Sequence, residues 1–191
     1  MNNPEYVRIG NKKYKINTDF RVALECNRIA SDDTIGDYER TLAIIYLLFG
    51  DEGLNDKENY EKLLELAIKY LKCGEEVDTS TSDDTNMDFV QDFKYIEASF
   101  KSDYGITLSQ EKMHYWDFYM YLNGLTDKCV LNRVREIRDY DLSQIKDLKE
   151  RKKIENAKKM VALKQKEIPI TEKQQKSVDN FFKLTGIKRK E

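Results

Sequence analysis

Residues 114–125, HYWDFYMYLNGL, carry the chain's single histidine, its single tryptophan and four further aromatic rings within eight positions before the run stops at Asn123-Gly124. A soluble chain must bury most of such a run, so whatever fold forms is built around it. On a helical wheel Tyr115, Phe118, Tyr119 and Leu122 share one side, Trp116, Met120 and Tyr121 widen it, and Glu111, Lys112, Asp117 and Asn123 are left for solvent. Burying side chains of this size stabilises by roughly 1.5–3 kcal/mol each, which favours a central helix; a partner interface, where Trp and Tyr are also enriched, is the alternative. Trp116, Phe118 and Tyr119, with Phe93 and Phe100 upstream, are the expected core anchors.

The rest of the sequence supplies elements to pack on that helix. YVRIGNKKYKI (Tyr6 to Ile16) alternates and turns at Gly10-Asn11, which predicts a two-residue hairpin with Val7, Ile9, Tyr14 and Ile16 on one face. Thr18 is the expected N-cap of a helix running to about Ala30. A second helix spans Asp37 to Phe49, apolar all round in its second half and stopped by Gly50; a third, from Lys57 to Cys73, presents Tyr60, Leu63, Leu64, Ala67, Ile68 and Leu71. The stripe Phe89, Phe93, Ile96, Phe100 predicts a fourth helix ended by Gly105, Ser109 is read as opening the aromatic helix, and Val130, Val134 and Ile137 mark a short helix from Asp127 to Arg138.

After Tyr140 the text changes. Residues 142–167 suit one exposed, highly charged helix of about seven turns, Pro169 ends it, and Thr171 and Gln174 have capping-box spacing ahead of a small stripe, Val178, Phe181 and Phe182. The fold class expected is therefore mainly α: an N-terminal two-stranded β-hairpin packed on a multi-helix bundle, with a long charged helix and a short C-terminal helix. The chain divides into a core domain (1–140) containing an acidic mobile loop (74–87), a charged helical arm (141–168), and an amphipathic helix with a basic tail (169–191).

Chemistry-bearing motifs are sparse. Cys26, Cys73 and Cys129 lie far apart with no CxxC or Cys/His cluster, so neither a disulfide framework nor a zinc site is expected. His114 has no motif-spaced partner for catalysis and reads as structural. No phosphate-loop, dinucleotide, zincin, nucleophile-elbow or EF-hand pattern occurs. No catalytic, metal or cofactor residue is assigned, and a non-enzymatic role is expected. The start lacks the regions of a signal peptide, and the longest apolar run, LAIIYLLF, is far short of the ~20 residues that span a bilayer, which points to a cytosolic protein.

Charge carries more. The chain has 33 basic and 35 acidic side chains, but they are segregated: between Glu75 and Asp103 nine acids face two lysines, and between Lys146 and Lys166 nine basic residues face three acids. Solvated faces are the plain reading. The functional ones are head-to-tail self-association into a homo-oligomer or phosphate binding by the basic arm. Nucleic acid is disfavoured because LKERKKIENAKKMVALKQK has no aromatic for stacking and acids interrupt its cationic face. Lys152, Lys153, Lys158 and Lys159 on the arm and Val178, Phe181 and Phe182 in the C-terminal stripe are the partner-binding candidates. The stripe is too small to fold alone, and docks either on its own core or in a partner's groove.

INTDFRVALE after the hairpin, YIEASFKSDYGITL, HYWDFYMYLNGL and VREIRDYDLSQI, in that order, resemble the "gene product fifteen" family of tail proteins from siphophages of Gram-positive bacteria. The resemblance spans roughly residues 6–150; Thr107 stands where the family commonly has an aspartate, and either residue can cap a helix. It implies a role in tail morphogenesis similar to that of tail assembly chaperones: helical, oligomerising proteins that bind tape-measure and tail tube subunits in the infected host's cytoplasm and are absent from the finished virion. It brings no catalytic residues. The alternatives are a nucleic-acid-binding or regulatory protein using the basic arm, and a structural component of the tail.

Overall fold

In the computed structural model, which describes residues 3–75 and 86–164, strands β1 (Tyr6–Ile9) and β2 (Lys12–Lys15) pair antiparallel with Val7 opposite Tyr14. The turn is Gly10-Asn11, and Gly10 has φ 57°, a positive value that suits the first central position of a type II′ turn and that glycine adopts without strain. Tyr14 and Ile16 are buried while Val7 and Ile9 pack on the core from its edge. A lone hairpin is marginal in water, and this one is tied down at Asp56. That carboxylate accepts from Lys12 Nζ at 2.6 Å, from the Tyr14 hydroxyl, and from Asn59 Nδ2 at 3.0 and 3.1 Å.

Seven α-helices follow among the described residues: α1 (Phe20–Ala30), α2 (Asp37–Leu54), α3 (Tyr60–Leu71), α4 (Phe93–Tyr104), α5 (Tyr115–Asn123), α6 (Val130–Asp139) and α7 (Leu148–Val161). α2 packs on α1 and α3 and carries the hairpin; α5 joins α1 to α4, and α6 lies between α4 and α7. The centre is an aromatic stack. Phe118 of α5 sits between Phe20 of α1 (ring centroids 4.8 Å, 11° between planes) and Phe100 of α4 (5.3 Å, 16°), with all three fully buried. Offset ring pairs of this kind add about 0.5–1.5 kcal/mol beyond the area they bury. Residues 114–125 are thus the hub of the bundle.

Helix ends differ from the sequence reading where backbone pairing intervenes. The N-cap of α1 is Asp19, whose side chain accepts from the Arg21 N–H, and not Thr18, whose carbonyl is taken by the Tyr115 N–H at 2.8 Å. The same pairing, continued by the Phe20 N–H on the Met113 carbonyl, holds residues 113–114 extended, so α5 opens at His114 and not at Ser109. α2 continues past Phe49 to Leu54 through a break at Gly50 (φ 64°, ψ −157°), a conformation confined essentially to glycine. α3 is preceded by a 3₁₀ turn at Lys57–Asn59, and α4 begins at Phe93, leaving Phe89 in a turn that the Asp88 carboxylate caps through the Val90 and Gln91 N–H groups. α6 starts at Val130 behind Cys129, whose Sγ accepts from the Asn132 N–H.

Some side chains also face elsewhere than their periodicity implied. Tyr46 on α2, Ile68 on α3, Met120 on α5 and Val130 on α6 are exposed; Tyr70 and Leu131 are buried in their neighbourhood instead. The single long helix expected over 142–167 is interrupted: a 3₁₀ turn occupies Leu142–Gln144, residues 145–147 are non-helical, and α7 ends at Val161. Asp147 supplies the break by accepting from the Lys149 and Glu150 N–H groups as an N-cap. Most of the acidic loop (76–85) and the C-terminal helix and tail (169–191) lie outside the described residues. No described helix is long and apolar enough to cross a membrane.

Candidate partner-binding surface

Three surfaces meet at one guanidinium. Arg138, at the end of α6, donates from Nη1 and Nη2 to the two Asp92 oxygens at 2.7 Å each, from Nη1 to the Asn86 carbonyl at 2.8 Å, and from Nε to the Val161 carbonyl at 2.6 Å. The Arg138 side chain is 10% exposed and that of Asp92 1%. Bidentate pairing raises the Arg138 pKa further and keeps the cation fixed. Asp92, one of the nine acids of the acidic stretch, is thus buried and not solvated; its partner lies 46 residues away, and no local spacing announces the pair. Arg138 therefore links the start of α4, the end of α6 and the end of α7.

On one side of this junction lies a cleft of about 430 Å³ with Lys158, Lys159, Ala162 and Leu163 on one wall and Asn86, Arg138 and Asp139 on the other; the surface it offers is mostly apolar. It gathers two of the four arm lysines. Lys158 Nζ donates to the Tyr140 carbonyl at 2.6 Å, and Lys159 pairs with Glu155 at 2.7 Å, a surface contact worth about 0–1 kcal/mol. Lys152 and Lys153 are exposed and do not border that cleft. α7 has no buried residue; Ile154, Ala157 and Val161 are half-buried, while Leu148 and Met160 are 79% and 85% exposed.

On the other side, Gln91 and Lys164 bond reciprocally: the Gln91 amide donates to the Lys164 carbonyl at 3.1 Å and accepts from its N–H at 2.8 Å. The residues around Gln91 form an apolar groove of about 230 Å³, made by Leu24 of α1 with Phe89, Val90 and Phe93, and rimmed by Arg21 and Glu25. Val90 is 58% exposed. Both rim charges already have partners, Arg21 with Asp19 and Glu25 with Arg28, so the groove's open character is apolar.

The expected core anchors distribute unevenly. Phe118 and Phe100 are fully buried, whereas Trp116, Tyr119 and Phe93 pack against the core from its edge. Trp116 Nε1 donates to the Tyr70 carbonyl at 3.0 Å. His114 is a capping residue: Nδ1 accepts from the Trp116 N–H at 3.0 Å, which leaves the proton on Nε2 to meet the Pro4 carbonyl at 3.1 Å. It lies at the edge of a cleft of about 770 Å³ between β2, α2 and residues 112–114. Burial pushes the Cys26 and Cys73 thiols up to about 12, and among the described residues no three His, Cys, Asp or Glu side chains are placed to hold a metal ion. Val178, Phe181 and Phe182 lie outside the described residues.

The fold and these surfaces define a helical protein, with an N-terminal hairpin, whose conspicuous features are open grooves around the α4–α6–α7 junction. Residues 2–163 match the family model described as Bacteriophage Gp15 protein, and the chain belongs to that family of phage proteins. The match includes α7, which lies largely beyond the stretches that carry the resemblance in sequence. No curated protein and no solved structure matches the chain.

Proposed function

We propose that this phage protein is a tail assembly chaperone: a binding protein, not an enzyme, that holds tape-measure or tail tube subunits in the cytoplasm of the infected host and is left out of the mature virion. The observation that carries this reading is the pairing of family membership with a junction where a lysine-bordered cleft and an apolar groove open side by side. A protein that must cover an apolar stripe on a subunit and later release it gains from several modest contacts more than from one deep site. Exposed Lys152 and Lys153, the cleft at Lys158 and Lys159, and the stripe Val178, Phe181 and Phe182 are the contacts assigned to that task. Self-association of the chain fits the same surfaces.

Light scattering on a size-exclusion column tests it, using the chain co-expressed with the tail tube and tape-measure proteins of its own phage. A defined complex with either subunit is expected, and deleting residues 169–191 abolishes it while leaving the circular dichroism spectrum intact. A lone species whose 260 nm absorbance disappears at high salt overturns the reading in favour of nucleic acid, because each neutralised phosphate adds about 0.7–0.9 to the salt slope. Recovery of the chain in purified virions by mass spectrometry would make it a structural tail component.

A further inference from the structure

We infer that the groove formed by Leu24, Phe89, Val90 and Phe93 is the docking site for this chain's own C-terminal segment, with Val178, Phe181 and Phe182 as the inserted side chains. The location of the chain's exit carries this. Lys164, the last described residue, is held by both polar atoms of the Gln91 side chain, and Gln91 directly follows groove residue Val90, with Phe93 two positions further on. The C-terminal segment therefore departs beside an open apolar groove, not from a remote end of the bundle. The intervening residues 165–177 reach on the order of 40 Å when extended, ample for the stripe to fold back.

The chemistry of the two sides agrees. Val178, Phe181 and Phe182 have the i, i+3, i+4 spacing of a helix laid into a groove. A tether this short holds its own segment at an effective concentration on the order of millimolar. A tail subunit that binds the stripe has to draw it out of this groove, so the two contacts exclude one another. The docking concerns the chain alone and holds whether or not the chaperone role does.

The test is photo-crosslinking of the full chain with benzoylphenylalanine at position 181, irradiated at low micromolar concentration and mapped by mass spectrometry on a mixture of isotopically light and heavy protein. Links within one chain to residues 21–25 or 89–93 are expected. Val90→Asp, at an already exposed position, is expected to cut their yield by about tenfold with an unchanged circular dichroism spectrum, since the apolar stripe then meets a carboxylate. Light–heavy links would assign the groove to a second copy and overturn the inference. So would links elsewhere in the chain, no link, or a yield indifferent to Val90→Asp.

Discussion

Replacing Arg138 by alanine leaves the Asp92 carboxylate, 1% exposed, without its bidentate partner. Breaking a buried pair from one side costs about 3–5 kcal/mol, because the orphaned charge has neither water nor a counter-ion. Asp92 retains the Asp88 N–H at 3.0 Å, which offsets little of that. The carbonyls of Asn86 and Val161 also lose a donor, but both lie near the surface where water replaces it. Against a total stability of about 5–15 kcal/mol the loss is large but survivable. With a urea slope near 2 kcal/mol per molar, the midpoint should fall by roughly 1.5–2.5 M. Combining Arg138→Met with Asp92→Asn removes both charges and should recover most of the loss. In Arg138→Ala, amide exchange across α7 should accelerate while α1 stays protected, since Arg138 is the side chain that ties Val161 to α4. A midpoint shift below roughly 0.5 M, or a double variant that loses the sum of the two single losses, would falsify the assignment of Arg138 as the lock of this junction.

Phe118→Ala removes the middle ring of the Phe20–Phe118–Phe100 stack and should cost about 3–5 kcal/mol, seen as a melting temperature lower by roughly 10 °C in calorimetry; a loss under about 1 kcal/mol would refute its central place. Hydrogen bonds from Lys12, Tyr14 and Asn59 hold the Asp56 carboxyl at about 2, below its ordinary 3.8. The unfolded chain therefore takes up a proton first, and the stability Asp56 confers is full above pH ~4 and lost as pH falls through the folded value. The difference in melting temperature between the native chain and Asp56→Asn should accordingly shrink from pH ~5 toward pH ~2, and a constant difference would contradict it. With burial raising its thiol to about 12, Cys26 should resist an aromatic disulfide reagent at neutral pH and react only in denaturant; rapid labelling of the folded chain would show the site to be open.

The elements are legible in local pattern. Alternation on either side of Gly10-Asn11 set the hairpin register, because the side-chain period of two allows no slip without exposing Tyr14 and Ile16. Helical spacing placed the helices, although Gly50 breaks α2 without ending it, and the aromatic density of residues 114–125 marks the centre of the core. Helix starts were the least legible: Thr18 and Ser109 do not cap, since residues 18–20 and 113–115 pair with one another across the fold, and the Asp147 cap divides a stretch whose composition suits one continuous helix. The junction was illegible for the same reason. Arg138 and Asp92, Gln91 and Lys164, and the two sides of the Leu24–Val90 groove are brought together from distant positions, and in the sequence Asp92 is one acid among nine. Hydrophobic periodicity records which face of an element avoids water, whereas the partner it meets there is settled by how the helices pack, and only the tertiary structure decides that.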